Sequence, residues 1–205
     1  MTGSATTYRG FVDESTAMRS ASHQEYLIGA ALLPVDQIDE VREQLTPLLL
    51  PGQIKLHWTD EQPARRRQIV DKICALGSIN IVITHLDEPR RKTERFRRKC
   101  LEELYHEMVS MEIFDLTLEA RTGPQDRNDV AHLVALRSQG IDPRMRIDHC
   151  RGGDEPLLWI PDIVLGAINA AHVGEARHLE ALSESLIIHR RTADSLLLAS
   201  ASERP

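Results

Sequence analysis

Three carboxylates, far apart in the chain, stand where chemistry could be built. Asp13 closes the short apolar run Tyr8-Arg9-Gly10-Phe11-Val12 and is followed by Glu14 and Ser15. Glu119 closes a second run, in which Phe114, Leu116 and Leu118 alternate with Asp115 and Thr117. Asp162 interrupts the apolar stretch Leu157-Leu158-Trp159-Ile160-Pro161-Asp162-Ile163-Val164-Leu165-Gly166. A carboxylate in such a stretch is costly to bury unless it is paired or holds a cation. Isolated acids delivered by different elements suit hard divalent ions. Mg²⁺ takes carboxylate, phosphate and water oxygens at roughly 2.0–2.1 Å. Two such ions ~3.5–4 Å apart can activate a water and stabilise the leaving oxygen of a phosphodiester, with no His or Lys base. Asp148, near the end of another apolar run, is a candidate fourth ligand.

The elements that must position these acids follow from periodicity. Strands are expected at Tyr8–Asp13, Tyr26–Leu33, Ile79–Ile83, Ile113–Ala120 and Met145–His149. The stretch Glu14–Gln24 is polar and reads as a turn between the first two, which makes an antiparallel pair. Helices are expected over Val35–Leu50, Glu61–Leu76, Arg90–Met111 and Asp126–Gln139, and from Asp154 or Glu155 to about Ala171. Pro161 should kink the last of these. Residues 183–191 would add an edge strand or a late-packing tail, and residues 1–7 a loose tail. Apart from the helical excursion at 35–78, three strands precede alternating helices and strands, which implies right-handed parallel crossovers. Parallel pairing of the first and fourth strands would bring Asp13 and Glu119 out side by side, with the last helix leaning Asp162 over them.

The 205 residues, 41% hydrophobic and 27% charged, suit one globular domain spanning 1–205. No apolar run approaches the ~20 residues of a membrane span. Met1–Thr7 lacks the basic and apolar regions of a signal peptide. Cys74, Cys100 and Cys150 are odd in number and widely spaced, so they read as reduced thiols of a cytoplasmic protein. The net charge of −6 argues against a general nucleic-acid coat. Charge is nevertheless local: Arg90–Lys99 holds seven basic residues against one acid. Arg95, Arg98 and Lys99 are the candidates there for gripping a phosphate backbone.

The motifs Asp13-Glu14-Ser15 after a first strand, Leu118-Glu119-Ala120-Arg121 at a strand end, and the late helix from Leu157 to Ala167 together resemble the domain-of-unknown-function family numbered 3800. That family is placed in the ribonuclease H-like superfamily. The resemblance covers roughly residues 8–172. It implies an α/β fold with a mixed five-stranded sheet flanked by helices, the helical insertion lying between the second and third core strands. It also implies acids at Asp13, Glu119 and Asp162. Thr16 stands where the family often has Gly, and Pro161 where a small residue is common.

The expected function is divalent-metal-dependent hydrolysis of phosphodiester bonds in RNA or DNA, with Mg²⁺ or Mn²⁺ held by Asp13, Glu119 and Asp162. Each residue has an ordinary alternative. Asp13 could end a strand in a solvated turn, Asp162 could lie on an exposed helix face, and Arg90–Lys99 could be a solvated face. Asp126 and Asp129 suit the positive end of a helix dipole better than catalysis. Lys55, His57 and Trp58 form a polar-aromatic cluster, in which packing of Trp58 is favoured over base stacking. Two rival functions stand beside the nuclease. One is a catalytically inactive ribonuclease H-like module that binds nucleic acid or protein. The other is an assembly protein, a homodimer through Leu-rich helices.

Overall fold

The computed structural model describes residues 6–90 and 93–197. Residues 1–5 of the expected tail, Arg91 and Lys92 of the basic run, and 198–205 of the expected C-terminal extension lie outside the described residues. The sheet has six strands: β1 (Tyr8–Ser20), β2 (His23–Pro34), β3 (Ile79–Asp87), β4 (Asp115–Glu119), β5 (Arg146–Cys150) and β6 (Leu186–Arg191). Their order is β5-β4-β1-β2-β3-β6. The first three strands are antiparallel neighbours, while β4 pairs parallel to β1, β5 to β4 and β6 to β3.

The five expected strands are present, and the sequence 183–191 contributes the sixth at the free edge of β3. The larger difference lies in β1, which does not stop at Asp13. Its polar second half, through Ser20, pairs residue by residue with β2, so Glu14–Gln24 is mostly strand with a tight turn at its tip. Backbone pairing does not depend on side-chain polarity, and the buried β2 supplies the template for it.

The sheet is sandwiched between two helical layers. α1 (Ile38–Leu45), α2 (Pro63–Ala75), α5 (Trp159–His172) and α6 (Arg177–Leu182) cover one face with Phe11, Leu27 and Val82. α3 (Glu94–Ser110) and α4 (Gly123–Ser138) cover the other with Val12, Ile28 and Leu118. Both faces of the central strands are buried, and this explains why β2 reads as one continuous apolar run. Phe11 and Val12 point to opposite cores, as strand alternation requires. This is the expected mixed sheet flanked by helices, extended from five strands to six by one edge strand.

Pro161 does not kink α5. The chain enters through a short 3₁₀ turn at Pro156–Leu158, and the α-helix starts at Trp159. Pro161 therefore falls in the first turn, where its missing N–H has no intrahelical acceptor to lose. The expected single helix over Val35–Leu50 is broken into 3₁₀ turns at Val35–Gln37 and Thr46–Leu48 around α1, with Pro47 in the second. An irregular stretch then leads from Leu49 to a 3₁₀ turn at Trp58–Asp60, so the excursion is only partly helical.

Candidate active site

The site forms where β1 outruns β4. The β1–β4 ladder runs from Gly10↔Leu116 to Val12↔Leu118, and one step beyond it stand Asp13 and Glu119. Parallel neighbours in register share a face, so both carboxylates lie on the α5 side with Phe11 and Thr117. Asp13 is only 8% exposed. Burial pushes its carboxyl well above the usual carboxylate range, and the charges of Glu119 and Asp162 push it further. A hydrogen bond with Glu119 raises it further. A second oxygen contact comes from the Glu14 N–H, which donates to Asp13 Oδ1 at 2.7 Å.

Asp162 arrives from the first turn of α5 and is clamped by the excursion. Its Oδ2 accepts the Trp58 backbone N–H at 2.7 Å, and its Oδ1 lies 2.7 Å from His57 Nδ1. That hydrogen bond to Asp162 raises the imidazole pKa against the opposing effect of burial. Two residues earlier, Lys55 Nζ donates to Glu119 Oε1 at 2.7 Å. Burial works against the ammonium, but Glu119, Asp13 and Asp162 outweigh it and hold its pKa above the ordinary value. Lys55 and His57 thus project from alternate positions of an extended segment, with Leu56 buried between them.

Two close approaches make this possible. A Cβ on Gly166 of α5 would lie 2.1 Å from Trp58 Cγ, so only glycine lets the indole seat against the helix. Trp58 is accordingly packed, edge-on to His178 and beneath the Arg66 guanidinium, and is not a free stacking platform. A Cβ on Gly152 would lie 2.5 Å from Glu119 Oε1 and 3.1 Å from Lys55 Cδ.

Two cavities flank the acids. One of about 140 Å³ is lined by Asp13, Glu14, Glu119, Arg97 and Arg121. The other, about 270 Å³, lies beyond Asp162, between His57, Trp58 and the α5 residues Gly166, Asn169 and Ala170. Ser15 forms part of its wall and accepts a hydrogen bond from Asn169 Nδ2 at 3.0 Å. The amide is oriented by the buried Arg19, which also pairs with Glu25 at 2.6 Å.

The remaining sequence candidates fall elsewhere. Asp148 is in register with Thr117, two residues short of Glu119, and its exposed side chain faces Arg9 at 3.7 Å. It does not join the three acids. Arg95 and Arg98 are exposed on α3. Lys99 is tied to Asp194, with His85 Nε2 3.3 Å away, on the β3 side. Besides Lys55 and His57, Arg97 and Arg121 reach the site, lining the cavity beside Asp13 and Glu119. Arg97 is buried, makes a bidentate pair with Asp129 at 3.0 and 2.8 Å, and contacts Glu14. Arg121 joins Asp129 and Glu94. Among the described residues, the one acid–His trio whose ligand atoms all lie within 4.8 Å of one another is Asp126, Asp129 and His149, so the three site acids are more widely spaced. With two guanidiniums already on Asp129, that trio is an ion-pair network that would repel a cation. Asp126 instead accepts the Arg121 N–H at 3.0 Å near the start of α4.

The sequence does not single out Lys55 and His57 as site residues, although it shows the alternation Lys55-Leu56-His57. No local signal tied the excursion to the sheet edge. Arg97 was lost within a run of identical side chains, and only its place on the buried side of α3 distinguishes it.

Strand order and the helices on both faces define a mixed α/β fold, a six-stranded sheet between two helical layers. No family model matches the chain, and no curated protein matches it. Among solved structures it is similar to the RNase HII of a PCNA–RNase HII complex from Archaeoglobus fulgidus, at 17% identity and a TM-score of 0.40, over 86% of this chain and 76% of that one. It is also similar to a mutant protein of Bst-RNase HIII, at 10% identity and a TM-score of 0.36, over 85% of this chain and 53% of that one. Among the described residues no helix is long and apolar enough to cross a membrane.

Proposed function

We infer that the protein is a divalent-metal-dependent nuclease of the domain-of-unknown-function family 3800, hydrolysing phosphodiester bonds in RNA or DNA with Mg²⁺ or Mn²⁺. The observation that carries this reading is the convergence of Asp13, Glu119 and Asp162 at one end of the sheet, where burial and the charges of the other two push the Asp13 carboxyl above the usual range. Such a donor set, all oxygen and with surplus negative charge, suits a hard cation. A structural role would favour replacing one acid by an apolar residue.

Asp13, Glu119 and Asp162 would hold the ion, which when bound supplies Lewis-acid activation of water and neutralises charge at phosphorus. The chain's own residues prepare the rest. The Trp58 N–H and His57 fix the Asp162 carboxylate in one orientation. The cavities on either side adjoin the three acids and give them an approach from solvent. In the reaction a water oxygen bonds to phosphorus as the ester P–O bond breaks. The water loses one proton to the site or solvent, and the leaving oxygen gains one.

Asp13→Asn keeps the volume and removes the charge. It should abolish Mn²⁺-dependent cleavage of single- and double-stranded RNA and DNA while the fold persists by circular dichroism. If the wild type cleaves none of these in Mg²⁺ or Mn²⁺, the nuclease reading fails. The inactive binding module is favoured by one observation: Lys55 and His57 already hydrogen-bond two of the acids. Nucleic-acid affinity that is identical in Mg²⁺ and EDTA, without cleavage, would support it.

A further inference from the structure

Lys55 reaches the carboxylates by construction, not as a surface lysine that happens to fold inward. Its ammonium hydrogen-bonds Glu119 at 2.7 Å. Its stem crosses Gly152, where a Cβ would press to 3.1 Å from Lys55 Cδ. The segment carrying it is anchored on both sides. Leu56 is 1% exposed, the Trp58 N–H bonds Asp162, and upstream Gln53 Nε2 bonds Glu61 Oε1 at 2.9 Å. The Lys55 ammonium thus already occupies the Glu119 oxygen that a second ion would need. A second ion would have to enter against the ammonium at short range.

We propose that the centre works with one divalent ion and that Lys55 is a catalytic residue, its ammonium taking the place of a second ion against the charge that develops on the phosphate oxygens. This rests on the hydrolase reading above. A preorganised cation at that position is worth a large part of the rate, by analogy with single oxyanion donors whose removal costs about 10²–10³ in kcat.

The test is metal stoichiometry together with kinetics on the full chain. Mn²⁺ is titrated alone and with a short phosphorothioate oligonucleotide, free Mn²⁺ being read by electron paramagnetic resonance. One Mn²⁺ per wild-type chain is expected in both cases. Lys55→Met should bind Mn²⁺ at least as tightly as wild type. Its kcat should fall by about 10²-fold or more with KM changed only a few-fold. Lys55→Arg, which keeps the charge, should recover part of the loss. Two Mn²⁺ bound per active wild-type chain overturns the proposal while leaving the nuclease reading intact, and so does a Lys55→Met variant with unchanged kcat. A wild type that binds no Mn²⁺ and cleaves nothing overturns both. The wild-type stoichiometry stands even if a variant fails to fold.

Discussion

Gly166→Ala sets two physical effects against each other. In an exposed helix interior, Gly→Ala stabilises by roughly 0.5–1 kcal/mol through backbone entropy. At Gly166 the new methyl would lie 2.1 Å from Trp58 Cγ, 2.4 Å from Cδ2 and 2.5 Å from Cβ. Carbon atoms in contact rest about 3.5–4.0 Å apart. The indole must therefore retreat by about 1.5 Å from a site where His178 and Arg66 hold its other sides. Overpacking of this kind costs typically about 1–3 kcal/mol, which exceeds the propensity gain. Net of the gain the cost reaches about 2.5 kcal/mol, and at about 2–4 °C per kcal/mol for a chain of this length the melting temperature should fall by up to roughly 10 °C. The Trp58 N–H is also the clamp on Asp162, so metal-dependent cleavage should fall more than stability does. Differential scanning calorimetry and a cleavage assay below the transition would measure both. A Gly166→Ala protein that melts higher than wild type, with full activity, would refute the close approach and the clamp together.

Other outcomes follow from the same contacts. His57→Ala should weaken Mn²⁺ binding or activity by about 10–100-fold, as loss of a partner behind a metal ligand does, and His57→Asn should recover part of it; both are read by Mn²⁺ titration. Asp129→Asn leaves the buried Arg97 short of its partner and should cost about 3–5 kcal/mol in urea unfolding at neutral pH. Burial opposes the Asp129 charge, but hydrogen bonds from His149 and Arg97 hold its carboxyl well below the usual range. Its stabilisation is therefore complete above the unfolded pKa of about 3.9 and lost as pH falls through the lower folded value. The gap between wild type and Asp129→Asn should accordingly narrow only below about pH 4, and a gap independent of pH there would contradict the assignment. Saturating Mn²⁺ should raise the wild-type melting temperature, and Asp13→Asn should show no such rise in a thermal-shift assay.

Much of the architecture was legible because its signals are local. Tyr26–Leu33 and Ile79–Ile83 are apolar, β-branched or small almost throughout, and a strand buried on both faces needs nothing else. Gly77 and Gly140, both with positive φ, follow the ends of α2 and α4. Asp13 and Glu119 are readable as acids that close apolar runs, and the order of elements is enough to expect them together. The second half of β1 was not readable. Met18, Arg19 and Ser20 are polar or exposed, and they are extended because β2 lies opposite. The mistaken kink at Pro161 came from placing the start of the helix too early.

The sequence by itself determined the element order, the two-sided apolar strands and the three acids that chemistry could use. Those follow from side-chain type and period, which any short window contains. Only the tertiary structure decided what meets those acids. Lys55 and His57 lie 64 and 105 residues from Glu119 and Asp162. Their meeting depends on two glycines that leave room for a lysine stem and an indole. The same packing sent Asp148 to solvent, and chose Arg97 and Arg121, not Arg95 and Arg98, to stand beside the site. Close approach between distant segments is a property of the packed chain, and no spacing within the sequence records it.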